Sequence, residues 1–241
     1  MIKCSDLSIS FENKNILKNV TLEVQNHLSI LGANGSGKSS FAKALSGLIE
    51  FEGDIEIDAQ NIKTLTPNAR AKLLSYIPTK LELYDKLITV EEFVLLGRFP
   101  YKESFFSYEK KDYTIVKEML EFLSIAHLAK HTIAELSSGE QQLTLIAQAL
   151  TQQSKIIIFD EPTANLDPKN SKIIAEHIKA LKEEHTIILI THDLHLAAFI
   201  DSQVLFIKEH SAQLYEKEFF SDTMLEKLYG VAFSNLAVHY D

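Results

Sequence analysis

The chain has 241 residues, 46% hydrophobic and 24% charged, a composition that excludes intrinsic disorder and suits one compact domain or one domain with a sizeable insertion. Its 24 Lys and Arg against 33 Asp and Glu give a net charge of -9, which repels phosphate backbones, and Arg70 and Arg98 are its only arginines. Nucleic acid is therefore excluded as the default partner. No apolar run approaches the roughly 18 residues of a membrane span, the charges at Lys3 and Asp6 leave no readable secretory signal, and the lone Cys4 suits a reducing compartment. A cytoplasmic location is expected.

In chain order, the apolar run Leu28 to Leu31 ends at Gly32 and is followed by Ser39 to Leu48, where Phe41, Leu45 and Leu48 recur at helical spacing. That reads strand, loop, helix. Between roughly Leu81 and Lys155 the pattern turns helical: Thr89 with Glu92 spells a capping box, and Val116, Leu120 and Leu123 mark a helix face without a clear strand. Ile156 to Phe159 reads as a buried strand, Asp167-Pro168 as an N-cap and first turn, and Ile174, Ile178 and Leu181 as the face of the following helix. Thr186 to Thr191 is the next strand, and the tail from Lys208 reads as a hairpin with a short helix near Met224 to Tyr229. Nearly all-apolar strands alternating with helices predict an α/β fold with a mainly parallel sheet covered on both faces. No internal repeat and no second copy of the glycine-containing stretch 32–39 is present.

Gly32-Ala33-Asn34-Gly35-Ser36-Gly37-Lys38-Ser39 matches the phosphate-binding loop pattern in full, between a predicted strand and a predicted helix. Its glycines let several N–H groups point inward, and the helix N-terminus adds about half a positive charge, so triphosphate oxygens meet donors already in place. Lys38 is expected to bridge the outer phosphates, and Ser39 to supply a hydroxyl to Mg²⁺. Asp160-Glu161 closes the apolar run 156–159 with two adjacent carboxylates, which strand alternation sends to opposite faces. Asp160 is expected to hold Mg²⁺ through its water shell, and Glu161 to polarise the attacking water as general base.

Leu136-Ser137-Ser138-Gly139-Glu140 resembles the signature motif of ATP-binding cassette (ABC) proteins, although Ser137 with Glu140 also spells a plain capping box. Asp160-Glu161-Pro162-Thr163-Ala164-Asn165-Leu166-Asp167 is similar to that family's acidic motif and D-loop, and Thr191-His192-Asp193 to its switch-histidine segment. The resemblance covers nearly the whole chain. It implies a P-loop NTPase (RecA-like) core with an antiparallel β subdomain and an inserted helical subdomain: core 1–79 and 155–241, helical part about 80–154. It further implies that ATP and Mg²⁺ are the cofactors. Asn34, Gly35, Ser36, Gly37, Lys38, Ser39 and Ser40 would hold the nucleotide, and His192 would contact the γ-phosphate. A second copy would supply Ser137 and Gly139 across a dimer interface, and Asp167 of the D-loop is counted among the nucleotide-binding residues. Phe11 falls at the adenine-stacking position, or is core packing.

Two departures from the family pattern stand out. The Q-loop glutamine, expected after Ser75-Tyr76-Ile77-Pro78 and near the metal, is replaced by Thr79, and the glycine turn before the loop strand is replaced by Gln25-Asn26-His27. Thr79 is either a weakened water-positioning group or a tolerated change. Leu96-Gly97-Arg98-Phe99-Pro100-Tyr101, the run from Thr191 to Ala198, and Leu228-Tyr229-Gly230-Val231 resemble the branch that energises import of iron-siderophore, haem or cobalamin. This implies an integral-membrane permease docked around Thr79 to Pro100, with Arg98 either a contact there or a solvated residue. It also implies an indirect partner in a substrate-binding protein, and a place on the cytoplasmic face of the plasma membrane. The alternative is a nucleotide-gated, dimerising interaction module with weak or no hydrolysis, which the missing glutamine permits.

Overall fold

The computed structural model describes residues 1–12, 14–82, 87–102 and 107–231. The chain runs β1 (Ile2–Phe11), β2 (Lys14–Val24), β3 (Leu28–Gly32), α1 (Lys38–Leu45), β4 (Glu52–Ile57) and β5 (Gln60–Asn61). It continues through α2 (Pro67–Leu73), β6 (Leu74–Ile77), α3 (Val90–Leu95), α4 (Lys110–Phe122), α5 (Ser138–Thr151), β7 (Ile156–Asp160) and α6 (Pro168–Leu181). Last come β8 (Thr186–Ile190), α7 (Leu194–Ile200), β9 (Gln203–Lys208), β10 (Ser211–Tyr215) and α8 (Asp222–Tyr229). The α/β class is as the sequence predicts. These elements form two compact units, residues 1–65 with 178–241, and residues 66–177.

In the first unit, β1 pairs antiparallel with β2 and with β4, placing Cys4 opposite Leu22 and Ile55. Val20, Leu22 and Val24 are buried and alternate with exposed Thr21 and Glu23, so this sheet has one dry face and one wet face. β3 behaves differently. It lies parallel to β8 and β9, with Leu28 opposite Ile188 and Gln203, and all five of its residues are buried. A parallel strand covered on both faces needs a continuous apolar run, as read from 28–31. β9 and β10 form the hairpin, turned by Glu209 and His210 at φ 49° and 66°, and Leu225 of α8 packs with Phe206 and Phe219. Helix α1 stops at Leu45 because Gly47 turns left-handed at φ 61°, so Leu48 is exposed and lies off the helix face predicted for it.

In the second unit, β6 and β7 pair in parallel from Leu74–Ile156 to Ile77–Phe159. The Thr89–Glu92 capping box opens α3, and Val116, Leu120 and Leu123 are buried as their spacing predicts. Arg98 corrects both readings of it. It is 3% exposed, its Nε donates to Asp112 Oδ1 at 2.9 Å, its Nη1 donates to the Thr151 carbonyl at 2.7 Å, and its guanidinium lies 4.0 Å from the Tyr101 ring centroid. Burial pushes the Asp112 carboxyl up, but the Arg98 hydrogen bond and the Glu109 N–H outweigh it and leave the group below the usual carboxylate range. Arg98 therefore ties helical segments together; removing one partner of such a buried pair costs about 3–5 kcal/mol.

Candidate functional site

In the first unit, the loop 33–37 bends from the end of β3 into α1. Ser36 N donates to the Ala33 carbonyl at 3.1 Å, and Phe41 N donates to Gly37 O at 2.8 Å, the first bond of the helix. Gly37 caps α1 at φ 107°, and a Cβ there would lie 2.8 Å from Ile16 Cγ2, so both conformation and space require glycine. Lys38 is 6% exposed, and its ammonium donates to the carbonyls of Gly32 at 3.0 Å and Ala33 at 3.1 Å. A cation thus sits beside backbone N–H groups at a helix N-terminus, a device for binding a polyanion.

His192 lies in the same unit, just past β8. Thr191 is buried and its Oγ1 accepts from Asp193 N at 3.0 Å, while Asp193 caps α7 by accepting from the N–H groups of His195 and Leu196. These bonds fix the turn on which exposed His192 stands. Phe11 is 65% exposed, which removes the core-packing reading; it lines a cleft of about 370 Å³ with Ser10, Glu12, Leu48, Ile49 and Glu50.

The second unit carries the acids. Asp160 ends β7 at 3% exposure, and the Tyr76 phenol donates to its Oδ2 at 2.6 Å. Glu161 does not continue the strand. Its φ is 50°, so the opposite-faces argument ends at Asp160, and a left-handed turn, closed by Ala164 N donating to Glu161 O at 3.1 Å, directs the second carboxylate. Thr79 is half-buried, just past the end of β6.

The signature-like and D-loop segments meet within this unit. Ser137 caps α5 with the predicted box: Glu140 accepts from Ser137 N and Oγ at 2.8 and 2.7 Å, and these bonds hold its carboxyl below the usual range. Asp167 accepts from the N–H groups of Lys169 and Asn170 at 3.0 and 3.1 Å, and the Asn170 N–H leads the causes that lower its carboxyl. A Cβ on Gly139 would lie 2.7 Å from Asn170 Cγ, so glycine is what lets the α5 N-terminus approach the α6 cap. Asn170 was not named by sequence reasoning, and Tyr76 entered only as part of the stretch before Thr79, with no role of its own.

The donor set can be tested against Mg²⁺. Ser39, Thr79 and the Asp160 carboxylate are hard oxygen donors, too few to displace the ion's full water shell, and the described residues contain no cluster of three or more His, Cys, Asp or Glu. That chemistry fits an ion that keeps several waters and is held chiefly by substrate phosphates.

A glycine-turned anion loop opening a helix, on parallel strands within an α/β fold, defines a P-loop nucleoside triphosphatase. Residues 17–164 match the ABC transporter family. A protein named as a probable iron chelatin transport ATP-binding protein, from Helicobacter pylori, is 33% identical over 215 residues, covering 87% of this chain and 84% of that one. A transporter assigned to the metal-chelate type, solved inward-facing, superposes with a TM-score of 0.83 at 25% identity over 96% of this chain and 89% of that one. A dimeric ATP-binding cassette solved after hydrolysis with ADP and phosphate gives 0.78 at 26% identity over 90% and 98% of the two chains. This chain belongs to the ABC transporter family as an ATP-binding, ATP-hydrolysing cassette.

Proposed function

We propose that this cassette energises a membrane importer of iron-siderophore, haem or cobalamin. The observation that carries the reading is Lys38, buried at the first turn of α1 with its ammonium on the carbonyls of Gly32 and Ala33. In this reading Asn34, Gly35, Ser36, Gly37, Lys38, Ser39 and Ser40 grip the triphosphate, Phe11 faces the adenine, and His192 contacts the γ-phosphate. Ser39, Asp160 and Thr79 hold Mg²⁺ directly or through its waters. The ion neutralises developing charge on the phosphates, and Glu161 takes the proton of the attacking water. Asp167 joins the nucleotide-binding set, and a second copy supplies Ser137 and Gly139, so ATP draws two cassettes together and hydrolysis releases them.

The cargo assignment rests on the names of the iron chelatin relative and the metal-chelate transporter. The helical segment, about 80–154, faces the permease. Leu87, Leu96 and Phe99 are exposed at 76%, 44% and 58%, an apolar set suited to a hydrophobic coupling segment, although residues 83–86 of the span 79–100 lie outside those described. No helix among the described residues is long and apolar enough to cross a membrane. In this reading the permease holds the cassette at the cytoplasmic face. A substrate-binding protein acts indirectly.

Half-buried Thr79 in the glutamine position favours one second reading, a nucleotide-gated dimerising module that hydrolyses poorly. ATP turnover of the purified cassette, measured with and without its permease, separates the two. The importer reading predicts turnover stimulated in the assembled complex; an assembled complex that hydrolyses nothing with Glu161 intact contradicts it.

A further inference from the structure

The geometry points to Tyr76 as a positioning residue that aims the Asp160 carboxylate at the nucleotide-bound magnesium. The inference rests on the proposed role of Asp160 and deepens it.

Tyr76 on β6 is paired with Ile158 on the parallel strand β7, so the side chains of Tyr76, Ile158 and Asp160 fall on the same face. Asp160 lies two residues beyond the pairing point, which is about 6.6 Å along the strand. A tyrosine ring and its hydroxyl span that gap, and the phenol oxygen reaches Asp160 Oδ2 at 2.6 Å. A shorter polar side chain at 76 would fall short, and phenylalanine would reach without a donor. Asp160 is 3% exposed, so its charge needs hydrogen-bond partners.

The consequence follows from carboxylate geometry. A donor on Oδ2 restrains the torsion of the group and so biases the direction in which the carboxylate is presented. Partners behind a ligand commonly tune metal affinity by about 10- to 100-fold. Tyr76 stands three residues before Thr79. In this chain the strand leading to the altered position therefore supplies a polar handle on the metal's carboxylate.

The test is a binding cycle on the full cassette. The dissociation constant for a fluorescent ATP analogue is measured in EDTA and in saturating magnesium, and the ratio of the two reports the metal's contribution. Tyr76→Phe is expected to lower that ratio about tenfold while changing the EDTA constant less than twofold. Tyr76→Phe keeps the ring, and circular dichroism with thermal melting checks that the fold is intact. In parallel, Mn²⁺ electron paramagnetic resonance with bound nucleotide should show a broadened, weaker bound-metal signal in the variant. Asp160→Asn serves as the reference and should abolish the magnesium gain. An unchanged ratio in Tyr76→Phe alongside a lost gain in Asp160→Asn overturns the positioning role alone. A full gain in Asp160→Asn overturns the metal role of Asp160, and the inference with it.

Discussion

Glu161 occupies φ 50°, a left-handed conformation that costs a non-glycine residue on the order of 1–3 kcal/mol. The surrounding turn holds it there, which separates its carboxylate from the strand geometry that fixes Asp160. Thr79 is the complementary case: a short hydroxyl stands where a longer amide would reach toward the metal and water. A lost positioning group commonly costs about 100-fold in rate, so Thr79→Gln is expected to raise turnover of the assembled complex, read as phosphate release at saturating ATP. An unchanged or lower rate refutes the role given to this position. At this scale the placement of contiguous motifs was legible: Lys38 and Ser39 stand in the first turn of α1 and Asp160 at the end of β7, as their neighbours in sequence predict. The Tyr76–Asp160 bond was not, because its partners are 84 residues apart and meet only through strand register.

Elements were legible where burial dictates composition. β3, β7 and β8 are covered on both faces and read as apolar runs, and the Thr89–Glu92 and Ser137–Glu140 boxes mark the starts of α3 and α5 where the sequence placed them. Arg98 was misjudged because its partners, Asp112 and the Thr151 carbonyl, come from other helices and leave no local trace. His27 shows how a departure in sequence became a structural device. Its Nδ1 accepts the Ile187 N–H at 3.1 Å, extending the β3–β8 ladder by one side-chain bond, and this requires a neutral ring. Burial first, then Lys182, lower its pKa below 6.5, with Glu183 opposing, and burial lowers that of His177 as well. A histidine with a depressed folded pKa favours the folded state fully above about pH 6.5, where folded and unfolded chains are both neutral. Below that, the unfolded chain binds protons first and stability falls as pH drops toward the folded value. The melting temperature should therefore decline from pH 7.5 to 5.5, and His27→Gln, which keeps an acceptor that does not titrate, should flatten the decline. An equally steep profile in the variant excludes His27 as a contributor.

For the molecule as a whole, the account is that one cassette holds a nucleotide incompletely and a second copy completes the enclosure. Its two halves of machinery are carried on the same chain: the phosphate loop and His192 in one compact unit, and the acids and the signature-like α5 in the other. Replacing Glu161 by Gln keeps size and polarity but removes the proposed base, and is expected to slow hydrolysis by about 10²- to 10⁴-fold without weakening nucleotide binding. The most direct measurement is the mass of purified Glu161→Gln protein by light scattering, with and without ATP and magnesium. The account predicts 27.2 kDa without nucleotide and twice that mass with it, reverting when ATP is removed. A mass that stays at one chain under saturating ATP and magnesium contradicts the account.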